Sequence, residues 1–183
     1  LRILCVEVRK EEDVSKLLTA LAMLENLAAL LLRWNGDEFE SIDGIAHLQN
    51  LTELEIYGPM RKLPHNFPPS LSRLSLMNTK LKEDPMPPLE RLPKLMFLMF
   101  LNDSYIGQEM VIKQNGFPRL KALDVFDLNK LEKIHVGNEA MVELKELCIW
   151  YCPMLDIVPE VEELRMMSNL HRLEIISGND SVY

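Results

Sequence analysis

A short pattern of apolar and polar positions recurs eight times along the chain. The eight copies read "LRILCV", "LAALLL", "LTELEI", "LSRLSL", "LPKLMFLMF", "LKALDV", "LKELCI" and "LHRLEI". Each copy has leucine at its first and fourth positions, and in most copies apolar and polar residues then alternate. Because successive side chains of a strand point to opposite faces, the end of each copy predicts a strand with one buried and one outward face.

The copies are evenly spaced along the chain. The first leucines of the L-x-x-L-x-L pattern are Leu1, Leu27, Leu51, Leu71, Leu95, Leu120, Leu144 and Leu170, at intervals of 26, 24, 20, 24, 25, 24 and 26 residues. In "LPKLMFLMF" the pattern starts at the second leucine, Leu95. Such intervals match a leucine-rich repeat, whose period is about 20–29 residues, and stacked repeats enclose their leucines in a shared core. We therefore predict one α/β domain over residues 1–183. It is a leucine-rich-repeat solenoid, a curved horseshoe segment with a concave parallel β-sheet and a convex side of short helices and irregular loops.

The segments that return between the strands differ from one another. "EEDVSKLLTALAML" carries apolar residues at helical spacing behind an acidic start, which predicts a helix. "GPMRKLPHNFPPS" is predicted to be irregular because its prolines lack the N–H groups that a helix needs. "PEVEELRMMSNL" predicts a short helix that begins at Pro159.

The last outward position of each predicted strand belongs to one row of the concave face. This row consists of Glu7, Arg33, Tyr57, Met77, Leu101, Phe126, Trp150 and Ile176. Six consecutive repeats place an apolar or aromatic residue in it, and Phe97 and Met99 adjoin the row from neighbouring positions. We call the apolar members together the apolar ridge: Tyr57, Met77, Phe97, Met99, Leu101, Phe126, Trp150 and Ile176. Contiguous apolar patches usually mark contact surfaces, so we predict that the apolar ridge binds a protein.

Charged residues flank the apolar ridge on the same face. They are Glu53, Glu55, Arg73, Asp124, Glu146, Arg172 and Glu174. Around an apolar centre, such charges select partners and fix their orientation. The alternative is that loops of the same chain, or another domain, cover this face.

The composition narrows the range of partners. The chain is 48% hydrophobic and 26% charged, which predicts a folded, soluble protein, and its apolar runs are shorter than the roughly 20 residues of a membrane span. A net charge of −8 without any cluster of lysine and arginine argues against nucleic-acid binding. A protein ligand is therefore the expected partner.

Three cysteines, Cys5, Cys148 and Cys152, are too few for a disulfide scaffold. Without a neighbouring histidine they also make a poor zinc site, and strand parity places Cys148 outward and Cys152 inward. We predict no bound metal and a reducing, cytoplasmic location. Secretion stays a minor alternative because the chain has glycosylation sequons at Asn50, Asn102 and Asn179.

No group of residues in the sequence predicts catalysis. The histidines, His47, His65, His135 and His171, lie in separate repeats and form no H-E-x-x-H motif. A G-x-x-x-x-G-K-[ST] phosphate-binding loop is also absent from the sequence. We therefore expect a chain that is not an enzyme and that holds no cofactor.

From residue 71 onward, the residues between the leucines of the pattern are also distinctive. The stretches "LSLMNTKLKEDPMPPLERLPKL", "NDSYIGQEM", "GFPRLKALDVFDLNKLEKI", "GNEAMVEL" and "LCIWYCPMLDIVP" follow one another in this order. This order is similar to that of the C-terminal leucine-rich-repeat region in plant nucleotide-binding immune receptors of the coiled-coil class. The resemblance covers about residues 48–177, whereas residues 1–47 share only the repeat.

The resemblance implies a fragment of an intracellular disease-resistance receptor. The repeats of such a receptor detect a pathogen effector or a modified host protein, and its ATP/ADP switch lies in a nucleotide-binding domain that this chain lacks. One alternative is an autoinhibitory module that docks on the receptor's own nucleotide-binding domain. Another is a substrate adaptor of a ubiquitin ligase, for which the sequence offers no F-box-like segment.

Overall fold

A parallel sheet organises the structure, a computed structural model that describes residues 2–156 and 169–176. The strands of these residues are β1 (Ile3–Val8), β2 (Ala29–Trp34), β3 (Glu53–Tyr57), β4 (Arg73–Met77), β5 (Phe97–Leu101), β6 (Glu109–Ile112), β7 (Ala122–Phe126), β8 (Lys133–Val136), β9 (Glu146–Trp150) and β10 (Arg172–Ile176). Eight of them form the main sheet in the order β1-β2-β3-β4-β5-β7-β9-β10. Each strand of the main sheet comes from one copy of the sequence pattern, as predicted.

Neighbouring strands pair in register, so equivalent positions of the repeats lie side by side. Leu54 of β3 pairs with Leu74 of β4, which pairs with Leu98 of β5. These three leucines are at most 1% exposed. The inward positions of all repeats therefore stack into one continuous hydrophobic core, and the leucine-rich-repeat fold is confirmed.

The predicted inward and outward faces are also confirmed in the best-patterned repeats. Leu123, Val125, Leu147 and Ile149 are between 1% and 3% exposed. Phe126 and Trp150, at the ends of the same strands, are only half-buried. Strand alternation, which sends adjacent side chains to opposite faces, accounts for the difference.

On the convex side, the first of the two predicted helices is present. Helix α1 (Glu11–Ala22) buries Val14, Leu18 and Leu21 against the core. A 3-10 helix follows at Asp43–His47, the proline-rich segment 58–70 is irregular, and α2 (Met86–Leu89) is a single short turn. The helix predicted to begin at Pro159 lies outside the described residues.

Strands β6 and β8 form a second, two-stranded parallel sheet that the sequence analysis did not predict. Two carboxylates from the preceding repeat occupy the free edge of β6. Asp84 Oδ2 accepts the Val111 N–H at 3.0 Å, and Glu90 Oε2 accepts the Lys113 N–H at 3.0 Å. Strand β6 reads Glu-Met-Val-Ile, in which polar and apolar residues do not strictly alternate, so the sequence pattern does not identify it.

Candidate functional site

The outward side chains of the main sheet form three parallel rows. The first row is Ile3, Ala29, Glu53, Arg73, Phe97, Ala122, Glu146 and Arg172. The second row is Cys5, Leu31, Glu55, Ser75, Met99, Asp124, Cys148 and Glu174. The third row is Glu7, Arg33, Tyr57, Met77, Leu101, Phe126, Trp150 and Ile176, as the sequence predicts. Because parallel strands lie about 4.8 Å apart, each row is a continuous surface.

The apolar ridge is therefore a real feature of the concave face. From Tyr57 to Trp150 its third-row members are half-buried, and Ile176 is 38% exposed. Phe97 and Met99, also half-buried, extend it into the first and second rows. The structure confirms these positions, while the role of the apolar ridge in binding stays a prediction.

Aromatic rings gather at the C-terminal end of the apolar ridge. Phe126 meets Trp150 edge to face at a centroid distance of 6.3 Å and meets Tyr151 at 5.3 Å. Tyr151 is 44% exposed although it follows the strand and lies outside the three rows. The Trp150 Nε1 atom is buried and has no hydrogen-bond partner among the described residues. The three rings form a compact, partly exposed aromatic cluster.

Five strands of the main sheet end at a turn that the sequence analysis did not identify. The residue after the third row adopts a positive φ in five repeats, at Gly58, Asn78, Asn102, Asp127 and Tyr151. Glycine, asparagine and aspartate tolerate this left-handed conformation, whereas tyrosine rarely adopts it. Four of these five residues are Gly, Asn or Asp, and their recurrence one residue after β3, β4, β5 and β7 is the signal in the sequence that could have identified the turn.

The second row includes Cys148, which is buried despite its outward position. This residue is on the outward side of β9 as predicted, but it is only 7% exposed. Burial, reinforced by the Asp124 carboxylate, raises the pKa of its thiol to about 11. Burial likewise raises the pKa of Asp124, which is opposed by a hydrogen bond from Cys148. The thiol is thus protonated and weakly reactive at neutral pH.

The arginines of the concave face have different partners at different places along the sheet. At its C-terminal end, the Arg172 guanidinium lies 2.9 Å from the Glu174 carboxylate and 3.5 Å from the Glu146 carboxylate. In the middle, the Arg73 guanidinium lies over the Phe97 ring at 4.2 Å. Toward the N-terminal end, the Arg33 guanidinium lies over the Tyr57 ring at 5.3 Å. The arginines of this face therefore pack on ring faces or pair with carboxylates.

The cysteines do not come together as a metal site. Cys5 is exposed, whereas Cys148 and Cys152 are buried, and all three are free thiols. Cys152 Sγ lies 3.6 Å from the Trp150 carbonyl oxygen, within its own turn. Within residues 2–156 and 169–176, no group of three or more His, Cys, Asp or Glu side chains is arranged to hold a metal ion.

This in-register sheet over a leucine core, with side chains in outward rows, defines a leucine-rich-repeat solenoid. The chain belongs to the family described as "Leucine-rich repeat region", whose model matches residues 1–181. It is 33% identical over 165 residues to the "Probable disease resistance protein RF9" of Arabidopsis thaliana, a match that covers 87% of this chain and 16% of that protein.

Two further Arabidopsis thaliana proteins match almost the whole chain. "Disease resistance protein RPH8A" is 31% identical over 182 residues, which is 96% of this chain and 20% of that protein. "Probable disease resistance protein At1g59620" is 31% identical over 185 residues, which is 98% of this chain and 21% of that protein. The chain thus spans between 16% and 21% of these curated relatives. In the described part of the chain, no helix has the length and hydrophobicity needed to cross a membrane.

Proposed function

We propose that this chain is the protein-recognition region of a plant intracellular immune receptor. Its concave face binds a pathogen effector or a modified host protein. The observation that carries the proposal is the apolar ridge, which crosses six adjoining strands without interruption. The names of the three relatives, all disease resistance proteins, support the biological setting.

The apolar ridge suits this function because the fold does not require it. The core is complete with the inward residues, so outward residues of the same strands are free to serve a ligand. Aromatic anchors near the centre of an interface commonly contribute more than about 2 kcal/mol each. Trp150, with Phe126 against it, is the strongest candidate anchor.

The rest of the receptor would supply the response. In this proposal an ATP/ADP switch lies in a separate nucleotide-binding domain of the receptor, as the resemblance implies, and the chain itself holds no cofactor. A cytoplasmic location fits the free thiols of Cys5, Cys148 and Cys152. Neither nucleic acid nor a small-molecule substrate enters the proposed function.

The proposal is tested with a ligand identified by copurification with the full-length receptor from infected tissue. Trp150→Ala should weaken its binding to the chain by more than about thirtyfold in calorimetric titration. The melting temperature should stay within a few degrees because Trp150 lies outside the core. Arg33→Ala, at the polar end of the same row, is the matched control and should change affinity little.

The same variants separate recognition from autoinhibition. If Trp150→Ala and Phe126→Ala bind the ligand with unchanged affinity but activate the full-length receptor without it, the recognition proposal is wrong. The apolar ridge would then dock on the receptor's own nucleotide-binding domain.

A further inference from the structure

Tyr151 continues the concave face beyond its three rows. Its backbone N–H donates to the Ile176 carbonyl oxygen at 2.8 Å, and the Asp127 N–H donates in the same way to the Trp150 carbonyl oxygen at 2.9 Å. The residues at this turn position therefore keep the register of the strands and form a fourth row. Its members are Gly58, Asn78, Asn102, Asp127 and Tyr151. Tyr151 is the only aromatic residue of these five.

The backbone conformation of Tyr151 is unfavourable for a tyrosine. Its φ is 56°, in the left-handed region that glycine, asparagine and aspartate tolerate at the other four positions of the fourth row. The Tyr151 ring contacts the Phe126 ring at a centroid distance of 5.3 Å, yet the residue is 44% exposed. The backbone strain and the ring contact are similar in size and opposite in sign, so the fold gains little from a tyrosine here. A contact with another molecule accounts for its presence.

Trp150 supplies an independent sign of a missing hydrogen-bond acceptor. Its Nε1 atom is buried and has no hydrogen-bond partner among the described residues, although the side chain as a whole is only half-buried. In the described part of the three rows, no other side chain has a buried polar atom without a partner. A buried donor without an acceptor is unfavourable, so turning the indole toward a bound acceptor costs little and forms a new hydrogen bond. The unpaired donor and the strained tyrosine are consecutive residues.

The surroundings of this donor favour an uncharged acceptor. Asp127 adjoins Tyr151 in the fourth row, and its carboxylate repels a negatively charged group. The Arg172 guanidinium, the cation at this end of the concave face, is already paired with two glutamates. The rings of Phe126 and Tyr151 add apolar walls. The chemistry of this place therefore suits an apolar side chain next to a neutral carbonyl group.

We infer that Phe126, Trp150 and Tyr151 form a subsite for an apolar side chain and an adjacent main-chain carbonyl of the protein bound on the concave face. The apolar side chain packs against the rings of Tyr151 and Phe126, and the carbonyl oxygen accepts a hydrogen bond from the Trp150 Nε1–H. The inference rests on the proposed recognition function and adds Tyr151 to its contact surface. The ligand thus crosses from the third row to the fourth row at this end of the apolar ridge.

A small neutral amide tests the subsite without the protein ligand. The probe is N-acetylleucine methylamide, and N-acetylleucine, which carries a carboxylate at neutral pH, is the matched control. The chain has two tryptophans, so two indole N–H signals are followed by NMR during each titration. The Trp34 Nε1–H already donates to the Asp37 carbonyl oxygen, so its signal should stay in place. The Trp150 signal should shift downfield and saturate with the methylamide, and at low salt it should shift at least about threefold less with N-acetylleucine.

Variants at Tyr151 separate a contact residue from a structural one. Tyr151→Asn removes the ring but introduces a residue that tolerates the left-handed turn, so the melting temperature should stay within a few degrees. The dissociation constant for the methylamide should nevertheless rise at least about threefold. Tyr151→Phe keeps the ring and should keep the affinity. Asn78→Gly, at the equivalent turn position after β4, is the control and should leave the affinity unchanged.

An unmoved Trp150 signal, a Trp34 shift as large as that of Trp150, or equal shifts with both probes would overturn the inference. Unchanged affinity of the Tyr151→Asn variant would overturn it as well. None of these results affects the Trp150→Ala test of recognition, which measures the affinity for the protein ligand. Failure of that test, conversely, does not change the titration with the methylamide. The two proposals therefore fail separately.

Discussion

The two halves of the concave sheet share one core but present different chemistry. In the C-terminal half, aromatic and aliphatic side chains dominate the third row, and Arg172 pairs with the nearby glutamates. In the N-terminal half, Glu53 and Glu55 face a depression without partners among the described residues. Apolar residues recur at the inward positions because each repeat must bury the same part of the shared core. Residues at the outward positions are free to differ between repeats.

Substitutions in the shared core are expected to lower the free energy of unfolding more than any other change considered. Leu54 under the N-terminal half and Leu147 under the C-terminal half are 1% and 2% exposed. Leu54→Ala and Leu147→Ala should each lower the free energy of unfolding by about 2–5 kcal/mol in urea titrations. Leu101→Ala, an outward leucine of the same chain, serves as the control and should cost less. A loss below about 1 kcal/mol at either inward site would contradict a continuous core.

Substitutions in the turn that follows the third-row residue should change stability by different amounts in the two halves of the sheet. The residues compared are Gly58 after β3 and Tyr151 after β9. Gly58 has a φ of 115°, and a Cβ there would lie 2.0 Å from the Trp34 carbonyl oxygen. Gly58→Ala should therefore cost at least about 2 kcal/mol of stability. At the equivalent position, Tyr151→Ala keeps the left-handed strain and loses only the ring contact with Phe126, so about 0.5–1.5 kcal/mol is expected. Chemical denaturation of both variants measures the contrast, and equal losses would contradict it.

A pH dependence is expected from Asp124, whose carboxyl is desolvated on the concave face. Burial raises the pKa of Asp124, so the folded state holds this proton more tightly than the unfolded state does. Stability contributed by this group therefore falls as pH rises from about 3.9, the unfolded value, through the raised folded value. Asp124→Asn, which stays neutral, should raise the melting temperature at pH 7 and lose that advantage below about pH 3.9.

Thermal melts between pH 3 and pH 7 check this expectation. Glu174→Gln is the control, because it removes a carboxylate that is paired with Arg172, and it should bring no gain at neutral pH. If Asp124→Asn destabilises the protein more at pH 7 than at pH 3, the nearby arginines stabilise ionised Asp124 and the predicted sign of the pH effect is wrong.

Repetition explains how much of this structure the sequence predicts. Eight copies of one pattern identify the strands of the main sheet, their register and the row from Glu7 to Ile176, because strand parity and repeat order determine which residues adjoin. Helix α1 is also predicted, since its apolar residues recur at helical spacing. The positions of the apolar ridge therefore follow from the amino-acid sequence alone.

Features that depend on one local contact were not predictable in this way. Cys148 and Ser75 have outward parity but are buried, because exposure depends on the size of neighbours in adjacent repeats. The stacking of Arg73 on Phe97 follows from side-chain conformations that no repeat pattern specifies. The β6–β8 sheet depends on edge contacts from Asp84 and Glu90 in another repeat.

The most direct test of the central claim is to observe which methionines the protein ligand contacts. Met77 and Met99 belong to the apolar ridge, whereas Met23, 81% exposed, follows α1 away from the concave rows. With methyl-labelled methionine, the NMR signals of Met77 and Met99 should shift or broaden when the ligand binds, while that of Met23 stays unchanged. A complex that shifts Met23 and leaves Met77 and Met99 unaffected would contradict recognition through the concave face.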